Sequence, residues 1–328
     1  MTETDNQKSG SNNSIVFRAV TWLLAMGCFY LVFGRIEAAA QRDGLTAFQY
    51  MVKFFSGADW LLWLALMIPY SIFFFLVDSH ATWRVIKWFN VSEIKFVNVL
   101  PIRASAYILS LVNEQVGKGA MTLYLLKRHS VPGWQALSSM IILAIVEIYQ
   151  LLIFSFIGVV IYFDLVVEAS TTLPLPQILL TVYSLAFIYF PIHLLYFNGT
   201  LLPKSTLRDK PILHALRQAR LKDYALIVLF KAPNLIGAVI VYTFALDLFS
   251  VAVSFGQMLA FLPVIFLAAA LPLPLHAGAL LLWTVLFPQY PEVGAFSLIM
   301  HTFFVIFNAV IGVVFLPKAN KELFVYPA

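Results

Sequence analysis

The chain has 328 residues, of which 61% are hydrophobic and 11% are charged, and its mean hydropathy is +0.88. Soluble domains typically carry about 25% charged residues, so this composition excludes a soluble globular protein and indicates a membrane protein. The apolar runs are continuous rather than alternating, which predicts an all-α polytopic fold and not a β-barrel. The net charge of +5 is interpreted as an excess of Lys and Arg in loops, whose positions indicate which loops face the cytoplasm. It does not indicate binding to nucleic acid.

The start of the chain predicts a tail and two ordinary spans. Residues 1–14 are polar and are predicted to form a disordered cytoplasmic tail, and residues 15–328 are predicted to form a single transmembrane domain. Full spans are predicted over residues 15–33 and 60–77, because each run approaches the ~20 apolar residues that cross a bilayer. The second span is predicted to end before Asp78.

A polar, glycine-rich stretch follows the third apolar segment, residues 96–112. It contains Glu114, Gly117, Lys118 and Gly119. We predict a helix break inside the bilayer, since glycine adopts backbone angles that other residues avoid. A half-helix starting after Gly119 would present its free N–H groups and Lys118 to an anion.

Four more full spans and a second broken hairpin are predicted in the rest of the chain. The spans are residues 134–163, 175–197, 225–246 and 295–316. The hairpin, residues 248–287, is broken by the proline-rich stretch 272–278 and ends in a half-helix.

The loop of residues 204–222 contains six Lys and Arg residues and is predicted to be cytoplasmic. Within it, Ile212, Leu213, Leu216 and Ala219 predict the apolar stripe of a short helix that lies on the membrane surface.

The two broken hairpins align with each other. Residues 119–138 and 278–297, at a constant offset of 159, share six of twenty residues, including glycine and proline positions. Matched glycine and proline favour an internal repeat, and chance similarity between two apolar segments is the alternative.

The distribution of Lys and Arg gives opposite orientations to the two halves of the chain. These halves are residues 58–163 and 225–316, linked by residues 164–224. We therefore predict an inverted repeat with about six full spans, two broken hairpins that meet near the midplane, and both termini in the cytoplasm. Transporters build substrate sites with this layout.

Charged side chains inside a bilayer cost roughly 2.5–3.5 kcal/mol each, so each one needs a reason. Glu114 and Lys118 lie four residues apart, and they either pair with each other or bind a lipid headgroup. Arg103 either meets Glu114 or Glu147, or extends to the cytoplasmic surface. Lys231 lies in a predicted span and also needs a partner.

Two histidines lie in the second half of the chain. His276 aligns with Gly117 at the offset of 159, and His301 lies on the last span. Each either titrates near neutral pH or is a hydrogen-bonded structural residue. No pair has metal-ligand spacing, and the one cysteine, Cys28, excludes a thiol metal cluster.

The order of features over residues 82–150 is distinctive. It comprises a basic loop, an apolar segment, VGKG at 116–119, a half-helix, KRHSVP at 127–132 and a long apolar helix. This order resembles the membrane domain of lysylphosphatidylglycerol synthases and its stand-alone relatives. Residues 241–316, with LPLP at 271–274 and Gly278, resemble the second half of that domain.

The resemblance implies an integral membrane domain that moves lipids or polyprenyl-linked compounds between leaflets, or that assists enzymes which make them. The chain shows no counterpart of the soluble aminoacyl-transferase domain, so synthesis is not implied. The chain departs from the family at Ala120 and at residues 280–284, where the family commonly has charges. Glu147 and Gln150 stand where the family commonly has a basic and acidic pair.

These features predict a flippase-like carrier of a lipid or polyprenyl-linked anionic substrate in the cytoplasmic (inner) membrane of a prokaryote. The predicted substrate-binding residues are Glu114, Gly117, Lys118, Gly119, Glu147, His276 and Gly278. One alternative is an accessory subunit whose partner is a lipid- or envelope-modifying enzyme. The other is a membrane-embedded lipid transferase. No phosphate-binding loop, hydrolase or metalloprotease motif occurs, so we predict no enzyme activity, catalytic residue, cofactor or metal.

Overall fold

The structure, a computed structural model, describes residues 3–112, 114–170, 173–271 and 273–325, without the side chains of residues 3–18, 112, 114–116, 118, 275 and 325. This described part contains thirteen α-helices and no strand, so the all-α fold is confirmed. The helices are α1 (Glu3–Arg42), α2 (Ala47–Ser56), α3 (Trp60–Phe89), α4 (Phe96–Val112), α5 (Glu114–His129), α6 (Gly133–Ile161), α7 (Phe163–Ala169), α8 (Leu175–Phe197), α9 (His214–Gln218), α10 (Leu221–Leu248), α11 (Phe255–Ala269), α12 (Ala277–Leu286) and α13 (Val293–Asn320).

Six of the described helices are long and apolar enough to cross a membrane, which confirms the number of predicted spans. They are α1 from Ala19 onward, α3, α6, α8, α10 and α13. Their outer faces carry bare apolar side chains, such as Phe187 of α8, which is 80% exposed. Apolar surface of this extent is unstable in water, so these faces contact lipid and the protein is a multi-pass membrane protein.

Two spans begin or end differently from their predictions. Helix α1 begins at Glu3, whereas the sequence predicted a disordered tail over residues 1–14. Helix α3 extends to Phe89 instead of ending before Asp78, so Asp78 lies inside the helix and is only 6% exposed.

Helix α4 ends at Val112 and helix α5 begins at Glu114, and the two helices pack together as the first hairpin. The predicted break at Gly117 and Gly119 is wrong, because α5 begins at Glu114 and continues through both glycines. A Cβ on Gly117 would collide with Ser110 Oγ and lie 2.9 Å from the Ala106 carbonyl oxygen. Gly117 therefore allows α5 to pack closely on α4 instead of ending a helix.

Helix α11 and helix α12 form the second hairpin, which confirms the broken segment predicted there. The chain turns between Ala269 and Ala277, and His276 immediately precedes α12. His276 has φ +51°, in the left-handed region that favours glycine. Its Nδ1 lies 3.0 Å from the Ala269 carbonyl oxygen, which fixes the turn.

The helices of the two halves have matching positions in the sequence. Helices α4 and α11 begin at Phe96 and Phe255, which are 159 residues apart. Helices α3 and α10 end at Phe89 and Leu248, again 159 residues apart. The offset first seen in twenty residues therefore relates whole helices.

The contacts between helices are also equivalent in the two halves. The span after the first hairpin, α6, packs against α11, and the span after the second hairpin, α13, packs against α4. Helices α3 and α10, which are equivalent to each other, pack together. In each half, the span that follows the hairpin thus packs against the hairpin of the other half.

The equivalent helices α3 and α10 run in opposite directions, as an inverted repeat requires. The Asp59 backbone N–H lies 3.4 Å from the Leu248 carbonyl oxygen at one end of the α3 and α10 pair. Further along, Asp78 Oδ1 lies 3.9 Å from Lys231 Nζ. Residue numbers rise along α3 while they fall along α10, so the two helices are antiparallel.

The loop between α8 and α10 packs on the protein, so the prediction of a helix lying on the membrane surface is wrong. In α9 both Ala215 and Leu216 are buried. The Ala215 N–H donates a 2.7 Å hydrogen bond to Ser138 Oγ of α6. The predicted apolar stripe is therefore covered by α6 and not by lipid.

Helices α1 and α2 hold the second hairpin from outside. Val32 and Ile36 of α1 pack against Leu280 of α12. Tyr50 of α2 donates a 2.8 Å hydrogen bond to Glu292 Oε2, just before α13. Burial, together with this carboxylate, raises the pKa of Tyr50, so the phenol stays protonated and remains a donor.

Candidate functional site

The tips of the two hairpins open onto one cavity of about 600 Å³. Ser110 and Leu111 line it from the first tip, and Ala269 and His276 line it from the second. Side chains of α3, α6, α10 and α13 complete the wall. The cavity thus lies where the two inverted halves meet.

Asp78, Arg103 and Tyr107 form the centre of a charged cluster on one side of this cavity. Arg103 Nε lies 2.6 Å from Asp78 Oδ2, and the Tyr107 hydroxyl donates a 3.1 Å hydrogen bond to the same oxygen. The Arg103 guanidinium also lies over the Tyr107 ring, 5.0 Å from its centroid. Burial makes this ion pair a charge-assisted bond in a low-dielectric site.

Lys231 connects this centre to Glu147. Its Nζ lies 3.0 Å from Glu147 Oε2 and 3.9 Å from Asp78 Oδ1, so two carboxylates share one ammonium group. The Lys231 side chain is 7% exposed, whereas that of Glu147 is 53% exposed. Glu147 is therefore the accessible member of the cluster.

The cluster lies far from the ends of the helices that carry it. Asp78 precedes the end of α3 at Phe89 by eleven residues, and Lys231 follows the start of α10 at Leu221 by ten residues. At 1.5 Å per residue, each lies roughly 15 Å from that helix end, or half the ~30 Å hydrocarbon core. Ionisable side chains in the interior of membrane-spanning helices indicate a functional site by default.

Aromatic rings form much of the remaining cavity wall. The Tyr242 and Trp283 rings are stacked with centroids 5.8 Å apart, and Phe74 meets Phe304 edge to face at 4.6 Å. Tyr70 donates a 3.3 Å hydrogen bond to the Asn234 carbonyl oxygen. The cavity thus combines a charged side with a wide apolar surface.

Two histidines form a second polar group on the wall. The rings of His276 and His301 have centroids 4.5 Å apart, and both line the cavity. Because a carbonyl oxygen only accepts, the contact of His276 Nδ1 with Ala269 places a proton on Nδ1. No group of three or more potential metal ligands occurs within the described residues.

The predicted site residues fall into three groups. Glu147 and His276 line the cavity, and Gly278 lies in the first turn of α12 behind His276. Gly117 packs on α4 and does not line the cavity. Gly119 does not line it either, and no atom lies within 4 Å of a Cβ built on it. The side chains of Glu114 and Lys118 lie outside the described residues, so neither the pairing nor the headgroup prediction for them is tested.

No protein-family model, curated protein sequence or solved structure matches this chain. The resemblance to the lysylphosphatidylglycerol synthase membrane domain therefore stays a prediction.

Sequence reasoning missed the most buried members of the cluster. It treated Asp78 as the end of a span and gave Tyr107 no role. The interpretation of Arg103 as extending to the cytoplasmic surface is wrong, since its carboxylate partner is Asp78. One signal was present: Phe75, Asp78 and Thr82 continue a buried face at spacings of three and four residues.

The charges do not follow the internal repeat. At the offset of 159, the positions equivalent to Asp78, Arg103 and Glu147 hold Gly237, Leu262 and Ile306, and Lys231 corresponds to Ile72. The repeat therefore builds the cavity, while the first half supplies three of the four charges. Both halves supply aromatic rings to the wall, and the second half supplies the two histidines.

Proposed function

We propose that this protein carries an amphipathic lipid, with an anionic headgroup, between the leaflets of the membrane. The observation that supports the proposal is the cavity between the two hairpins, which is lined both by a charged cluster and by aromatic rings. Transporters with inverted repeats place their substrate site at this position. Lipid carriage also fits the resemblance to the lysylphosphatidylglycerol synthase membrane domain.

Arg103 supports an anionic headgroup. Its hydrogen bond to Asp78 uses Nε, and the described contacts leave the guanidinium Nη atoms without an acceptor. Those nitrogens suit a phosphate oxygen, because the planar guanidinium presents several donors at once. The Arg103 side chain is 22% exposed and lines the cavity.

The aromatic surface supports a hydrocarbon chain as the other part of the substrate. Tyr242, Trp283 and Phe304 offer apolar rings next to the charged cluster. A headgroup at the cluster would leave its acyl or prenyl chain against these rings, as ligand sites combine few polar groups with a mainly apolar wall. A polyprenyl-phosphate-linked compound fits the same description.

A leaflet-resolved assay in reconstituted vesicles tests the proposal. Fluorescent phosphatidylglycerol in the inner leaflet becomes accessible to a membrane-impermeant quencher only after translocation. We expect vesicles with the wild-type protein to exchange the probe at least tenfold faster than empty vesicles.

Cavity-filling and surface variants provide the matched comparison. Ala269 lines the cavity, so Ala269→Trp is expected to abolish the added exchange, whereas Ser184→Trp on the exposed face of α8 is expected to retain it. Folding of both variants is checked by size-exclusion chromatography. Equal exchange by empty and wild-type vesicles for phospholipid and polyprenyl-phosphate probes would overturn the proposal.

A further inference from the structure

We infer that Glu147 binds a proton together with each anionic headgroup, so that the cavity carries lipid and proton in the same direction. This inference rests on the proposed function and adds its coupling ion.

The charges of the cluster cancel when all four groups are ionised. Asp78 and Glu147 supply two negative charges, and Arg103 and Lys231 supply two positive charges. A bound monoanionic headgroup would leave the deep cavity with one net negative charge, which is costly in a low-dielectric site. One proton on Glu147 removes that charge and restores neutrality.

Glu147 is the member of the cluster that a proton can reach. Its side chain is 53% exposed and lines the cavity, whereas Asp78 is 9% exposed at the side chain and is held by Arg103 and Tyr107. The proton adds to the Glu147 carboxylate to give a carboxylic acid, and Lys231 keeps its own proton. No other covalent bond changes.

Lys231 has a second acceptor ready when Glu147 becomes neutral. Asp78 Oδ1 lies 3.9 Å from its Nζ, so the ammonium group moves by about one ångström to a normal charge-assisted bond. Pro233 lies in the same helix and lacks the N–H that would bond the Leu229 carbonyl, which makes α10 easier to bend there. Protonation of Glu147 thereby changes the contact between Lys231 of α10 and Asp78 of α3.

Four other titratable groups among the described residues face Glu147. Lys231 faces it from α10, Asp78 from α3, and Arg103 and Tyr107 from α4. Helix α11 has no titratable residue.

Three histidines lie further from Glu147. His276 and His301 lie on the cavity wall, and His193 of α8 bonds to Tyr224 instead of the cluster. The side chains of Glu114 and Lys118, on α5, lie outside the described residues.

The test measures how fluorescent phosphatidylglycerol distributes between leaflets under an imposed pH gradient. One proton per lipid shifts the steady-state leaflet ratio about tenfold per pH unit, because each factor of ten in proton activity is worth about 1.4 kcal/mol. An imposed membrane potential is expected to leave the wild-type ratio unchanged, since the headgroup and proton charges cancel.

Glu147→Gln is expected to remove the pH effect on the ratio and to make it depend on membrane potential. Glu168→Gln, which removes an exposed carboxylate on α7 outside the cavity, is expected to keep the wild-type pH response. A wild-type protein that exchanges the probe without any response to the pH gradient would overturn the inference and leave the proposed function intact. Retention of the pH response in Glu147→Gln would overturn it as well.

Infrared difference spectroscopy of the purified protein distinguishes failure of the proton site from failure of the proposed lipid carriage. Acidification in the presence of short-chain phosphatidylglycerol is expected to give a protonated-carboxyl band that Glu147→Gln lacks. If wild-type vesicles show no exchange, the proposed function fails; absence of this band then rejects the proton site too, and its presence retains the proton site alone.

Discussion

At the residue scale, the pairing of Asp78 with Arg103 decides how charge is tolerated in the membrane. The two groups are joined at 2.6 Å, with Tyr107 satisfying the same carboxylate oxygen. Removing one partner of a buried pair leaves an uncompensated charge, which is much more costly than removing both.

A double-mutant cycle tests this dependence. Asp78→Asn and Arg103→Gln are each expected to lower the free energy of unfolding by about 3–5 kcal/mol, since each strands its partner. The double variant is expected to lose at least about 1 kcal/mol less than the sum of the two. Denaturant titration in detergent micelles measures the cycle, and strictly additive losses would contradict a direct pair.

A pair of glycines tests the packing of the first hairpin. Gly117→Ala is expected to destabilise the protein by about 1–3 kcal/mol, because its Cβ would collide with Ser110 and approach the Ala106 backbone.

Gly119→Ala is the matched control in the same helix. It meets no atom within 4 Å and is expected to be neutral or to stabilise by up to about 1 kcal/mol, as alanine is the better helix former. Thermal unfolding of both variants would contradict the packing of α5 on α4 if their order were reversed.

At the element scale, the sequence predicted the spans better than it predicted the turn of the first hairpin. A glycine permits both a break and a close helix contact, and composition alone does not distinguish them. Gly117 is explained only by the position of Ser110, which a local sequence window does not supply. Similarly, the stripe around Leu216 predicted burial correctly but not whether lipid or α6 covers it.

Cysteine labelling tests the direction of the spans. In a Cys28→Ser background, a cysteine at Asp164 is expected to react with an impermeant maleimide from the outer side only. One at Ser205 is expected to react from the cytoplasmic side only, because α8 crosses the membrane between them. Labelling of both positions from the same side would contradict the inverted topology.

At the scale of the whole molecule, the repeat and its six spans could be predicted, while the site could not be assembled. Hydropathy and the offset of 159 are properties of continuous sequence. The cluster instead joins Asp78 to Arg103 and Glu147 to Lys231, and such partners are set by how α3, α4, α6 and α10 pack. The charges were visible in the sequence, but their pairings required the fold.

The central claim is that the cavity carries lipid between the leaflets, which requires it to open to both sides of the membrane, and two-sided accessibility of His301 tests this most directly. His301 lines the cavity, so His301→Cys in the Cys28→Ser background reports its openings. We expect an impermeant maleimide to label this cysteine from either side, in right-side-out and in inside-out vesicles. We expect the additional substitution Ala269→Trp, which fills the cavity, to prevent the labelling. Labelling from one side only, or from neither, in both vesicle orientations would contradict it.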